Sequence, residues 1–457
     1  MYGNSVTHHL KMKKRTFLKV SSVLATGPLF SPISSWASDE KLKNWAGNLT
    51  YSTNELFEAT SIDDIQNFVK KTAKFKVLGS RHCFNTIADS THQFLSLRRM
   101  NEVVSLDSVA RTVTVGAGMN YGQLSPYLHE RGFALPNLAS LPHISVAGAC
   151  ATATHGSGET HGNLATAVSG IEFVTANGDL LQLTKDNDGE KFKAAVVNLG
   201  AIGVVTKVTL DLQPTYLARQ YVYERLPMEH MDVYFNAIQA KGYSISFFTN
   251  WQNPYFDEVW IKVRDDSAFS PEPELFGARL ATKDMHPIPE LSAENCTAQM
   301  GVPGPWYERW PHFKLGFTPS SGVELQSEYF VPRENAVEAI RAIAQLGKQI
   351  TPHLFTSEIR TIRADDLWMS TCYKQDAVAI HFTWKQDWPA VSKLLPIVEK
   401  QLTPFRFRPH WGKLFVTTHA QLKASYEKLP EFQAFLRGVD PKGKFRNSFL
   451  DRNIFGV

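Results

Sequence analysis

The sequence reads as an α+β protein in two parts, on the strength of its length, its turns and a change of texture midway. At 457 residues the chain exceeds what one hydrophobic core usually serves, so two domains are the default. The first half mixes short strands and helices around Gly-rich turns. It lacks both the regular strand–helix alternation of a doubly wound sheet and a G-x-G-x-x-G opening a helix. Near Pro214 longer strand-like runs and amphipathic segments take over.

Each element has a local reason. Residues 63–71 place Ile65, Phe68 and Val69 at helical spacing. Residues 111–115 alternate as a strand does, and Gly116 and Gly118 turn the chain into a helix over 121–130 that ends near Gly132. Apolar runs at 171–174 and 180–183 flank Asn177-Gly178, a strong hairpin signal. Residues 191–197 read as a helix, Gly200 and Gly203 as a turn, and 204–212 as a strand. In the second half, 243–248, 259–263, 324–330, 358–362 and 377–384 read as strands, and 285–311 as a Pro- and aromatic-rich loop. Pro332 is expected to open a helix reaching Lys348, with Val337, Ile340, Ile343 and Ala344 inward. A second helix over 391–402 should be kinked or interrupted by Pro396. The expected result is a sheet covered by helices on one side.

Composition narrows the function. With 43% hydrophobic and 20% charged residues the chain is globular, and no apolar run is long enough to span a bilayer. Residues 1–37 hold five basic residues and no acid; beyond them 43 basic residues face 44 acidic ones. That balance excludes bulk attraction to nucleic acid or an anionic membrane. Lys14-Arg15-Thr16-Phe17-Leu18-Lys19, an apolar stretch over 20–30 and Ser35-Trp36-Ala37 read as an export leader close to the twin-arginine type. A periplasmic or secreted monomer is expected, with a cytoplasmic or membrane-associated location, or Sec export, as alternatives. Cys83, Cys150, Cys296 and Cys372 are scattered, without a Cys-x-x-Cys pair, and suit buried thiols better than zinc or a disulfide framework.

Two stretches point to a large ligand. Val77-Leu78-Gly79-Ser80-Arg81-His82-Cys83 breaks an apolar run at a small polar turn and delivers one histidine beyond it. Backbone N–H groups in such a turn can cradle a pyrophosphate. Residues 146–158 form a second small-residue stretch, with no bulky side chain from Val146 to Thr154. Either alone is an ordinary turn; together they suit two walls of one cofactor site. Further on, Glu358 and Arg360 lie two apart on a predicted strand and so project to one side, as do Gln326 and Glu328. Taken alone, Glu358 and Arg360 are a surface ion pair, Lys413 a solvated lysine and Thr383 strand filler. His143, His155, His381 and His410 lack metal-like spacing, and no metal is expected.

These motifs occur in order with Asn44-Trp45-Ala46-Gly47-Asn48, Leu135-Pro136-Asn137-Leu138-Ala139-Ser140, Thr154-His155-Gly156-Ser157-Gly158, His381-Phe382-Thr383-Trp384 and Arg408-Pro409-His410-Trp411-Gly412-Lys413. From Asn44 onward the chain resembles the alditol oxidases of the vanillyl-alcohol-oxidase-type (PCMH-type) FAD family, to which the aldonolactone oxidases are related. The resemblance implies an FAD-binding domain over 44–213, a substrate domain over 214–417 and a C-terminal segment, 418–457, returning to the first. It implies FAD bonded covalently through its 8α carbon to His82. Val77, Leu78, Gly79, Ser80, Arg81, Cys83, Ser140, Ser145, Gly148, Thr152, Thr154, His155 and Gly156 would hold the pyrophosphate and ring edge. Ile202 and Val205 would wall the cofactor, unless they are core.

Lys413 and Arg360 are the cations the resemblance places near the charge that develops on reduced flavin, Lys413 also touching the reacting hydroxyl and the ring. Ser140, Glu358, Arg360, Thr383 and Gln326 would bind substrate hydroxyls, and Lys413, Arg360 and Glu358 would be the catalytic residues. The implied reaction oxidises the terminal –CH2OH of a polyol by hydride transfer to flavin N5, with dioxygen or another acceptor taking the electrons. The alternatives are an aldonolactone oxidase or dehydrogenase and a non-catalytic polyol-binding protein. The family usually carries Gly at Arg81 and Ala153 and Ser at Cys83; a methyl group at Ala153 is tolerable unless that residue needs positive φ.

Overall fold

Residues 41–316 and 324–457 are described by the structure, a computed structural model; the leader expected over 1–37 lies outside the described residues. Strand alternation in the first half builds a five-stranded antiparallel sheet in the order Val103–Asp107, Thr112–Gly116, Val204–Asp211, Val168–Val174, Leu180–Thr184. The last two form the hairpin expected around Asn177-Gly178, where Gly178 supplies φ 88°. Helix Tyr121–Glu130 starts at a capping box between Asn120 and Gln123 and buries Leu124 and Leu128 in the same core as Val113, Val115, Val208 and Leu210. A three-stranded parallel sheet, Leu56–Glu58, Phe94–Ser96 and Lys76–Val77, leads into the His82 turn.

The second half forms a ten-stranded antiparallel sheet. Its central strands run in the order Leu217–Pro227, Tyr255–Arg264, Ser244–Thr249, Leu354–Ile362, Ala377–Lys385, Glu324–Pro332. Period-two alternation divides their side chains between two faces. Leu325, Tyr329, Val331, Ile359, Val378, Ile380, Phe382 and Trp384 pack with helices Met231–Gln239, Ala336–Ala344 and Trp388–Leu402. On the opposite face Gln326, Glu328, Glu358, Arg360, His381 and Thr383 are polar, while Phe330 and Ala379 join a small apolar cluster. Register sets Glu328, His381 and Glu358 side by side on three adjacent strands, with Gln326, Thr383 and Thr356 in the next row.

Two local expectations fail for tertiary reasons. Pro332 closes a strand, pairing with Ala377, and does not open a helix; a 3₁₀ turn, Arg333–Asn335, precedes helix Ala336–Ala344, and a separate short helix spans Gly347–Ile350. Gly347 sits where a Cβ would lie 2.5 Å from the Trp251 carbonyl oxygen, so the break follows a close backbone approach. The other helix runs from Trp388 to Leu402 through Pro396. An interior proline costs about 3 kcal/mol. Burial of Val391, Leu394, Leu395, Val398 and Leu402, at roughly 1.5–3 kcal/mol per side chain, outweighs it. The C-terminal segment packs Leu422, Tyr426, Phe432, Leu436 and Leu450 into the first-half core. Asn447 Nδ2 donates to the carbonyls of Thr86, Ile87 and Asp89 beside the His82 turn.

Candidate active site

The His82 turn is held from both sides. Leu78 N–H donates to Leu95 O at 2.9 Å, and its side chain packs against Tyr51 and Phe94, so the chain leaves the sheet at Gly79. Arg81 adopts φ 62°, and its carbonyl accepts from Trp45 N–H at 2.8 Å. The Trp45 ring stacks on the His82 imidazole, centroids 4.9 Å apart at 20°. Burial pushes the His82 imidazole down to about 3, so the ring is neutral with a free lone pair. Phe84 N–H donates to Gly412 O at 2.8 Å. Asn85 Nδ2 donates to the carbonyls of Trp411 (2.8 Å) and Lys413 (2.6 Å). The segments bearing His82 and Lys413 are therefore one hydrogen-bonded unit.

The second small-residue stretch forms the opposite wall. Ser145 N–H donates to Ser80 Oγ at 3.2 Å, joining the two turns. Cβ atoms added at Gly79 and Gly148 would lie 3.2 and 2.6 Å from Ser145 Oγ, so bare backbone lines the space. Gly156 passes so close to Asn137 and the Leu138 carbonyl that any side chain would collide. Ala153 has φ 52° and is fully buried. Both positions where the related family carries glycine thus take the left-handed conformation. Ala153→Gly relieves about 1–2 kcal/mol of backbone strain, but gives back similar amounts through a lost buried methyl and a freer unfolded chain. It should unfold in urea within about 1 kcal/mol of wild type, whereas Ala153→Val should lose about 2–3 kcal/mol through β-branching at positive φ and overpacking.

The third wall is the polar face of the ten-stranded sheet. Glu328 is its hub: Oε2 accepts from Lys413 Nζ at 2.7 Å, and Oε1 from Arg360 Nη2 at 3.1 Å. His155 Nε2 lies 3.3 Å from the same Oε1. Burial alone would raise the Glu328 carboxyl; the Lys413 ammonium foremost outweighs it and holds the group well below the carboxylate range. Glu358 and Arg360, each 5% exposed, are not a surface pair. Arg360 Nη1 donates to Ser140 Oγ at 3.2 Å, and Glu358 Oε1 lies 2.8 Å from His312 Nε2. Burial raises the Glu358 carboxyl too, but Arg360 and His312 reverse that and keep it ionised. Burial pushes His381 down to about 3, so its Nδ1, 2.9 Å from Lys413 Nζ, accepts. Its Nε2 then donates to Thr383 Oγ1 at 3.0 Å, leaving the threonine proton free to point elsewhere. His155, Glu328 and His410 bring ligand-type atoms within 4.8 Å of one another, but both Glu328 oxygens already hold cations.

These walls enclose a cavity of about 550 Å³, a size suited to a cofactor with part of its substrate. Val77, Gly79, Ser80, Arg81, His82, Cys83, Ser140, Ser145, Gly148, Thr152, Thr154, His155, Gln326, Glu358, Arg360, Thr383 and Lys413 line it. Leu78, Gly156, Ile202 and Val205 do not: Leu78 and Ile202 are buried in separate apolar clusters, and Val205 packs against that of Ile202. Trp45, Thr356, His312 and Glu328, none of them among the expected site residues, also line it. Thr356 and Glu328 share the period-two signal of their neighbours; His312 comes from an irregular loop with no period to betray it. Bare backbone on two walls, a neutral imidazole in the first and buried cations in the third fit a flavin dinucleotide.

Residues 54–184 match the family model described as FAD binding domain, and residues 323–453 match that of D-arabinono-1,4-lactone oxidase. The chain is 45% identical over 410 residues to the alditol oxidase of a Streptomyces species, covering 89% of this chain and 97% of that one. It is 25% identical over 440 residues to the L-gulonolactone oxidase of Bos taurus, covering 91% and 98%. Among solved structures, cholesterol oxidase from B. sterolicum superposes with a TM-score of 0.71 over 91% of this chain and 96% of its own, at 14% identity, a likeness of fold alone. The 45% identity to the alditol oxidase across almost the whole length of both chains, with the FAD-binding match over the two turns, places the chain in the alditol oxidase family of FAD-dependent oxidoreductases.

Proposed function

We propose that this enzyme oxidises the terminal –CH2OH of an alditol of the xylitol or sorbitol type to the aldehyde, with dioxygen reduced to hydrogen peroxide, and that its FAD is bonded covalently to His82. One observation carries the substrate class: the cavity face of the sheet is a wall of hydroxyl-recognising groups, Gln326, Glu358, Arg360 and Thr383, meeting Ser140 from the opposite wall. FAD, when bound, supplies the two-electron acceptor. Residues 44–213 with 418–457 would hold it, and 214–417 would bind substrate. Lys413 and Arg360 hold positive charge where the oxidation builds negative charge, Lys413 also binding the reacting hydroxyl. Lys413 Nζ orients His381, and His381 orients Thr383, so that the threonine hydroxyl meets a substrate oxygen. A wall that satisfies several hydroxyls should reject deoxy analogues strongly.

The 45% identity to an alditol oxidase supports this reading. The match of residues 323–453 to D-arabinono-1,4-lactone oxidase favours a second, aldonolactone oxidation at the same site. Wild-type enzyme should release peroxide from xylitol or sorbitol; turnover of L-gulono- or L-galactono-lactone alone would select the second reading. Flavin fluorescence should stay with the denatured wild-type band on a gel and vanish from His82→Ala; a dark wild-type band from flavin-saturated enzyme rules out the covalent bond. Among the described residues no helix is long and apolar enough to cross a membrane. Export as a folded, flavin-loaded monomer would follow from the leader read over 1–37.

A further inference from the structure

A buried lysine extends the polar face two strands beyond Glu358, outside every role assigned above. Lys262, on strand Tyr255–Arg264, is 1% exposed. Its Nζ donates to the carbonyls of Trp310 (2.8 Å) and Pro311 (3.1 Å) and lies 3.1 Å from His312 Nδ1. His312 Nε2 lies 2.8 Å from Glu358 Oε1, which is also 3.4 Å from Arg360 Nε. Glu358 Oε2 receives no hydrogen bond from the described residues, and Glu358 lines the cavity.

The direction of each bond follows from charge. Glu358 is ionised, so it can only accept, and His312 must carry its proton on Nε2. Nδ1 is then an acceptor, and Lys262 is the donor that fixes that tautomer. Burial and the nearby Lys262 ammonium push the His312 imidazole down to about 4, so the ring stays neutral. We propose that Lys262 and His312 are positioning residues for the substrate-binding carboxylate of Glu358: Lys262 sets the His312 tautomer, and His312 pins Glu358 Oε1 so that Oε2 is presented to a substrate hydroxyl. Around Glu358 the charged and titratable groups are Arg360 on its own strand, His381 and Glu328 on the next two, Lys262 on the same face two strands away in the opposite direction, Lys413 beyond Glu328 and His312 from the loop. His312 alone among them contacts Glu358 from outside the sheet.

This inference rests on the reading of Glu358 as a substrate-hydroxyl acceptor. Its test compares the flavin-loaded His312→Phe and His312→Gln enzymes, since glutamine keeps an N–H near the Nε2 position. His312→Phe should raise KM for xylitol about 10- to 100-fold through loss of a hydrogen bond to a charged group. It should also move the acid limb of kcat/KM upward, because burial then raises the Glu358 carboxyl less opposed. His312→Gln should stay near wild type in both, with flavin content and Tm equal in the two variants. Lys262→Met should raise KM in the wild-type background and add nothing in the His312→Gln background. Equal KM and pH profiles for His312→Phe and His312→Gln would overturn the relay, as would a Lys262→Met factor that is the same in both backgrounds. Should Lys262→Met fail to fold, the two His312 variants decide the matter alone. Wild type that oxidises only a lactone would fail the polyol reading and not the relay, which is then judged by the same comparison on that lactone; turnover of neither would overturn both.

Discussion

Lys413→Met is expected to lower kcat/KM by about 10²- to 10³-fold, the usual cost of removing one preorganised charge-stabilising donor. Lys413 Nζ sits between Glu328 Oε2 and His381 Nδ1, anchored by Asn85 to the segment that carries His82. Burial lowers its affinity for a proton, and the Glu328 carboxylate opposes that. Methionine keeps the length and removes the charge; arginine keeps the charge and moves it. Lys413→Arg should therefore recover part of the lost rate. Stability should fall less than the roughly 3–5 kcal/mol typical of breaking an isolated buried ion pair, because Glu328 retains Arg360 at 3.1 Å. Steady-state peroxide production beside a urea titration separates the two effects. A methionine variant with more than a tenth of wild-type kcat/KM would remove Lys413 from the chemistry.

Glu258→Gln should stabilise the protein increasingly as pH rises. Glu258 is 1% exposed on strand Tyr255–Arg264, against the apolar cluster of Val222, Phe248, Trp260, Ala281 and Cys296. Oε2 accepts from Trp260 Nε1 at 2.6 Å, and Oε1 has no hydrogen-bond partner among the described residues. Burial first, helped by Asp257 and Glu224, pushes the carboxyl up to about 8 from its ordinary 4.5. A raised carboxyl favours the folded state fully below the unfolded value, and that contribution drains away as pH climbs through the folded value. Between pH 5 and 8 the loss is roughly 1.4 kcal/mol per pH unit. Glutamine resembles the neutral acid and does not titrate. The two unfolding free energies should therefore nearly coincide at pH 5 and diverge by roughly 4 kcal/mol at pH 8. A difference independent of pH would mean Glu258 is ionised in the fold.

Particular residues show what could be read without coordinates. Glu358 with Arg360, and Gln326 with Glu328, were visible as same-face pairs because a strand's side chains alternate whatever surrounds them. The Asn177-Gly178 hairpin was visible because the residues before and after that pair are apolar and the pair itself favours a tight turn. Lys413 carried no local signal and entered through resemblance alone. Ile202 was read as a cofactor wall or core; it lies in the core, and an apolar residue after a Gly turn has the same local pattern either way. Pro396 reverses a local rule: the buried face of its helix outweighs the missing hydrogen bond.

The chain's own pattern therefore decided the alternating strands, the two small-residue turns and the histidine that the first of them carries, because those follow from backbone sterics and side-chain period over a few neighbouring residues. Contact between distant segments decided the rest. Trp45 stacks on His82, Asn85 bonds the Lys413 segment, and His312 reaches Glu358 from an irregular loop. Charge states of Glu328, Glu358, His381 and Glu258 likewise depend on burial and on partners far along the chain, and neither exists until the two halves close around the cavity.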